Sequence, residues 1–118
     1  MTTKILPEAN YLEFLLWFLK HRQRFKVMGN SMSPLLKPGE EILVATRAYR
    51  KSLPKIGDVV VLKHPGQNYL TIVKRIIDID INHNCFLVGD NLAQSVDSRH
   101  WGSIKSSNLI GKVTSRFT

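Results

Sequence analysis

Thr71-Ile72-Val73-Lys74-Arg75-Ile76-Ile77 is the stretch that decides the fold. β-Branched side chains lose rotamer freedom in a helix and pack well on a pleated surface, so the run reads as a strand, placed near 69–81. Two adjacent cations are tolerable in such a strand because alternation sends them to opposite faces. One can then be buried while the other stays wet. Working outward, further short β-rich runs lie near 25–29, 41–46, 58–63, 85–89 and 110–117. Lys37-Pro38-Gly39-Glu40 and His64-Pro65-Gly66-Gln67 separate some of them, with proline presetting φ and glycine accepting positive φ, and Lys55-Ile56-Gly57-Asp58 is a further turn. Strands this short and close together, after a single helix, predict a mainly β fold: a small coiled antiparallel sheet or partial barrel.

The chain has 118 residues, enough for one modest core, and is read as one domain over 1–118, with a helix at about 8–24 and a β core from about 25 to 118. A hydrophobic fraction of 43% with 22% charged residues excludes a disordered or membrane-embedded chain. The net charge of +8 is unevenly spread, with Lys20, Arg22, Arg24 and Lys26 in one cluster and Arg47, Arg50, Lys51 and Lys55 in another. Such clusters suit a solvated basic surface or an anionic partner, a membrane surface or an acidic polypeptide. Cys85 is the single cysteine, so no internal disulfide can form and a reducing, cytoplasmic setting is expected. It reads as a small buried hydrophobe, and with only His83 beside it no metal site or cofactor is expected.

Residues 11–19 are nearly all apolar, yet a bilayer needs about twenty such residues and the run stops at Lys20. Glu8 ahead of it and the absence of a small-residue cleavage pattern argue against a signal peptide. The reading is an amphipathic helix, with Asn10 and Glu13 as a capping box, Pro7 as an alternative first-turn residue, Leu12, Leu15, Leu16 and Leu19 as the core stripe, and a basic last turn. Phe14, Trp17 and Phe18 widen the apolar arc. The segment 11–26 is therefore either a lid over the core or a contact with a membrane surface, a protein or a substrate.

The chemistry is carried by Ser31-Met32-Ser33-Pro34, Lys74-Arg75, Gly89-Asp90-Asn91 and Ser95-Val96-Asp97-Ser98-Arg99. Serine is a poor nucleophile until its proton is removed, and a lysine desolvated among β-branched side chains can serve as the base. These segments resemble, in order, boxes of the signal peptidase I family of serine proteases. Gly29-Asn30-Ser31-Met32-Ser33-Pro34-Leu35-Leu36 resembles the nucleophile box, Gly57-Asp58-Val59-Val60-Val61-Leu62 the next, Lys74-Arg75 the general-base box, and Gly89 through Gly102 the last. The resemblance implies that Ser31 is the nucleophile, Lys74 the general base, Ser95 the hydroxyl that orients the lysine, and Asp97 with Arg99 a structural ion pair. Met32 would form part of an apolar wall. The backbone N–H of Ser31 would serve the oxyanion hole; Gly29 offers no hydroxyl there, and Asn30 is a further candidate. A neutral lysine also requires freedom from carboxylates that would hold its charge.

Leu35, and Leu92-Ala93 after Gly-Asp-Asn, depart from the family pattern. The connection from Arg75 to Gly89 is short, and an amphipathic helix stands where the family's membrane anchor is expected. These features resemble the soluble branch of nickel-type superoxide dismutase maturation proteases, which implies a dismutase precursor as substrate and partner. The competing readings are a general leader peptidase acting at a membrane surface, a self-cleaving repressor-type protease, for which the upstream Ala-Gly and a DNA-binding segment are missing, and a catalytically silent basic module that binds an anionic membrane or nucleic acid. Nucleic acid is not an expected partner.

Overall fold

The computed structural model describes residues 5–117. Its elements are α1 (Tyr11–Phe18), β1 (Gln23–Lys26), β2 (Glu41–Ala45), α2 (Ala48–Lys51), β3 (Val59–Lys63), β4 (Thr71–Ile79), β5 (Asn84–Val88), α3 (Ser98–Trp101), β6 (Ile104–Lys105) and β7 (Leu109–Phe117). The strand predicted around Lys74 is β4, and it lies between β3 and β5 in one seven-stranded sheet of order β1-β2-β7-β3-β4-β5-β6. All the pairings are antiparallel, and the sheet does not close. The fold is mainly β, as the pattern predicts. The two-residue β6, the one-turn helices α2 and α3, and the 3-10 turns Leu92–Gln94 and Ser106–Asn108 are too short to carry a periodicity that sequence reading could catch.

Alternation along β3 divides the core. Val59 and Val61 join Met32, Leu36, Ile42 and Val113, whereas Val60 and Leu62 join Ile76, Cys85, Leu87 and Ile104. Lys74 lies opposite Val60 and Arg75 opposite Val59, so the two cations follow the same alternation. The expectation that one of them stays wet is overturned: Lys74 is 3% and Arg75 2% exposed. Arg75 tolerates burial because Asp90 meets its guanidinium fork bidentately, Nε at 2.8 Å and Nη2 at 2.9 Å, while Nη1 donates to the Gly57 carbonyl at 3.1 Å.

The N-terminal helix is shorter than the predicted 8–24 and faces differently. Pro7 is not in its first turn: Arg116 N–H donates to the Pro7 carbonyl and Ala9 N–H to the Arg116 carbonyl, tying this segment alongside β7. Asn10 does cap α1, accepting from Glu13 N–H at 3.0 Å, but no capping box forms. Glu13 instead accepts from Ser115 Oγ at 2.9 Å, from Arg22 Nε at 3.1 Å and from Thr114 Oγ1. That pull sets Phe14 and Trp17 edge-on to Phe117 at 5.2 and 4.9 Å, with Phe14 half-buried while Trp17 and Phe18 stay exposed. Leu12, Leu15 and Leu19, expected as core, are exposed. The helix ends at Phe18 with no basic residue in its last turn, because the chain reverses at Lys20 (φ 64°) to bring Arg22 back to Glu13.

Candidate active site

Lys74 sits mid-strand on β4, where its neighbours keep water away, and its Nζ donates to Ser95 Oγ at 3.0 Å. Ser95 Oγ in turn donates to Asp97 Oδ2 at 2.6 Å. A carboxylate only accepts, so the serine proton is committed to Asp97 and the serine lone pairs face the amine. Burial lowers the Lys74 pKa; the charge of Asp97 pulls it back up, and that of Arg99 pushes it down again. Sequence reasoning required freedom from nearby carboxylates, and this is corrected. Asp97 stands directly behind Ser95 and raises the Lys74 pKa, but it bonds Arg99 and Gly89 N–H rather than the amine, and burial outweighs its pull.

Asp97 is fully buried and serves several donors at once. Arg99 Nε reaches Oδ1 at 2.9 Å and Nη2 reaches Oδ2 at 3.1 Å; Gly89 N–H donates to Oδ2 at 3.0 Å. Asp97 also caps α3, accepting from Arg99 N–H at 3.2 Å, while its own N–H donates to His100 Nδ1. Burial raises its pKa, but the bonds from Arg99, Ser95 and Gly89 outweigh burial and hold the carboxyl well below the usual range. The ion pair implied by the resemblance is thus present, and Asp97 additionally fixes the Ser95 hydroxyl.

Gly89, at the end of β5, joins this array to Ser31. A Cβ at Gly89 would stand 2.3 Å from Ser95 Oγ and 2.5 Å from the Ser31 carbonyl oxygen, so only glycine fits. The two residues after it fasten the Ser31 loop to β5. Asn91 N–H donates to the Ser31 carbonyl at 2.8 Å, Asn91 Nδ2 to the Asn30 carbonyl at 3.2 Å, and Asp90 N–H to Met32 Sδ at 3.4 Å. Sequence reading assigned no role to Asp90 or Asn91. The available signal was Arg75 itself, since a second buried cation demands a carboxylate and Gly89-Asp90-Asn91 held one.

Ser31 is half-buried and lines a cavity of about 60 Å³ together with Met32, Phe25, Val61 and Val73. Met32, 1% exposed, lines that cavity. Gly29 has φ +79°, the left-handed conformation that favours glycine and swings the chain into the Ser31 loop. Asn30 is held through its carbonyl, and its side chain makes no hydrogen bond among the described residues. Among those residues no hydrogen bond joins Ser31 Oγ to Lys74 Nζ; Lys74 Nζ bonds Ser95 Oγ, and Gly89 is packed closely against both Ser95 Oγ and the Ser31 carbonyl. Hydrogen bonds of this kind are commonly long without substrate.

The family model for signal peptidase, peptidase S26, matches residues 8–80 and 81–118. The chain belongs to that family. It is similar to the signal peptidase I of Buchnera aphidicola subsp. Baizongia pistaciae, 37% identical over 51% of this chain and 24% of the relative. The mitochondrial inner membrane protease subunit 1 of Schizosaccharomyces pombe is 29% identical, covering 81% of this chain and 75% of its own length. The probable signal peptidase I-1 of Synechocystis is 25% identical over 96% of this chain and 79% of its own. The chain thus spans about a quarter of the Buchnera relative and about three quarters of the other two. Among the described residues of this S26 chain, no helix is long and apolar enough to cross a membrane, and no cluster of three or more His, Cys, Asp or Glu is placed to hold a metal.

Proposed function

We propose that this chain is a serine endopeptidase that removes an N-terminal leader from a precursor, with Ser31 as nucleophile and Lys74 as general base. Neutral Lys74 takes the Ser31 proton as Oγ attacks the scissile carbonyl, and returns it to the departing amine; the resulting Ser31 ester is hydrolysed by a water that Lys74 deprotonates. The Ser31 backbone N–H donates to no group among the described residues and would face the oxyanion. One observation carries the reading: a buried lysine whose hydrogen-bond partner, Ser95, has its own proton committed to Asp97. The small apolar cavity beside Ser31 suits a small side chain next to the scissile bond.

The finer reading takes nickel-type superoxide dismutase precursor as the substrate, met in the cytoplasm, on the resemblance of the four boxes and the short connection between β4 and Gly89. The relatives, two of them signal peptidases I by name, favour a second reading, removal of leaders from exported proteins at a membrane surface. The exposed Leu12, Leu15, Phe18 and Leu19 would then meet lipid. Incubation with each precursor, reading the new N-terminus by mass spectrometry, tests both. Leader release from the dismutase precursor supports the finer reading, and release only from an exported precursor supports the second. Release that persists in Ser31→Ala contradicts the peptidase assignment.

A further inference from the structure

A second cavity, of about 430 Å³, lies between α2, β7 and the turn after α1 and shares no lining residue with the cavity at Ser31. We propose that it binds a phosphate group, carried either by a small phosphorylated molecule or by a lipid headgroup. Its cations arrive from separate segments: Arg22 ahead of β1, Arg47 beside α2, Lys55 in the loop before β3, and Lys112 on β7. Residues 46–57 supply Arg47, Arg50, Lys51 and Lys55 without a single carboxylate.

The charges in this cavity do not cancel. Arg22 is paired with Glu13 at 3.1 Å, and Lys112 with Asp58 at 3.5 Å. Arg47 and Lys55 have no side-chain partner among the described residues, yet both line the same concave wall. Asp58 is the carboxylate in that wall, but it is buried and turned inward, accepting from Tyr49 Oη at 2.7 Å and Lys55 N–H at 3.0 Å. Two uncompensated cations gathered in one cavity match a compact dianion, and a guanidinium fork binds phosphate oxygens bidentately. An acidic polypeptide would call for cations strung along a track; here exposed Arg47 and Lys55 line a single cavity. The volume leaves room for the group that carries the phosphate.

Inorganic pyrophosphate is the probe, titrated calorimetrically into the whole chain at fixed ionic strength. The expected result is saturable binding that weakens at least tenfold, about 1.4 kcal/mol, in the Arg47→Ser/Lys55→Ser double variant. The Lys37→Ser/Lys105→Ser variant removes the same charge from exposed positions outside the cavity and keeps the wild-type affinity. Absence of saturable binding, or equal weakening in both double variants, overturns the proposal. Lys55→Glu alone gives a second reading should the double variant unfold: lost binding supports the site, and unchanged binding refutes it. Phosphatidylcholine vesicles with and without phosphatidic acid then separate the sources. Retention on the acidic vesicles that pyrophosphate competes away identifies a headgroup, and pyrophosphate binding without retention identifies a free phosphorylated molecule.

Discussion

Lys74 and Arg75 are neighbours on one strand, equally buried, and held by opposite kinds of partner. Arg75 meets a carboxylate directly, with two parallel bonds to Asp90 and a carbonyl behind. Lys74 meets a hydroxyl, and the carboxylate behind that hydroxyl is already shared among Arg99, Gly89 N–H and the cap of α3. Burial alone makes a cation costly; the partner decides whether the cost is met by pairing or by loss of the proton. One side of β4 therefore fastens the Gly89-Asp90-Asn91 segment in place, and the other holds an amine whose pKa is lowered and whose direction is fixed.

The strongest way to break this contrast is to remove the reacting groups. Ser31→Ala and Lys74→Ala should each lower leader release by about a thousandfold or more, measured by mass spectrometry, with folding retained by circular dichroism. Lys74→Arg should fail equally, because a guanidinium keeps its proton. On the Arg75 side the loss is of stability: Asp90→Ala removes the bidentate carboxylate from a buried guanidinium and should cost about 3 kcal/mol in a denaturant titration. Ser95→Ala sharpens the comparison from the Lys74 side. It should reduce leader release by roughly ten- to a hundredfold through misdirection of the amine, with a smaller stability change of about 1 kcal/mol.

The smallest expected effect is the most discriminating. Arg99 occupies Asp97 and also lowers the Lys74 pKa, so Arg99→Gln should raise that pKa and move the rising limb of the pH–rate profile to higher pH. The sign for stability follows from linkage. Lys74 binds its proton less readily folded than unfolded, so the unfolded chain carries more protons between the lowered pKa and the ordinary value of 10.5. Stability should rise with pH across that window, and Lys74→Met should flatten the rise.

Much of this was legible in the residues. The β-branched run named β4, the turn residues separated the longer strands correctly, and the ordered boxes singled out Lys74, Ser95, Asp97 and Arg99, which hydrogen bonds link in the structure. The misreadings share a physical cause, which is that partners far along the chain override local pattern. Leu12, Leu15 and Leu19 carry a sound helical period, but Glu13 bonding to Ser115 and Arg22 turns α1 so that Phe14 meets Phe117 and these leucines stay exposed. Burial of both Lys74 and Arg75 was not foreseen because the carboxylate that meets Arg75 lies across a β-turn-β excursion. The requirement of Gly89 for glycine is visible only when Ser31 and Ser95 converge on it. The cavity at Arg47 and Lys55 likewise looked like one more basic surface in a chain of net charge +8 until the fold made it concave.

The most direct test of the central claim is the titration of Lys74 itself, followed through its side-chain ¹⁵Nζ and ¹³Cε signals in the folded Ser31→Ala protein, with Lys74→Met supplying the assignment. The account predicts a midpoint displaced below 10.5, apart from the exposed lysines. A Lys74 that titrates together with them would contradict it.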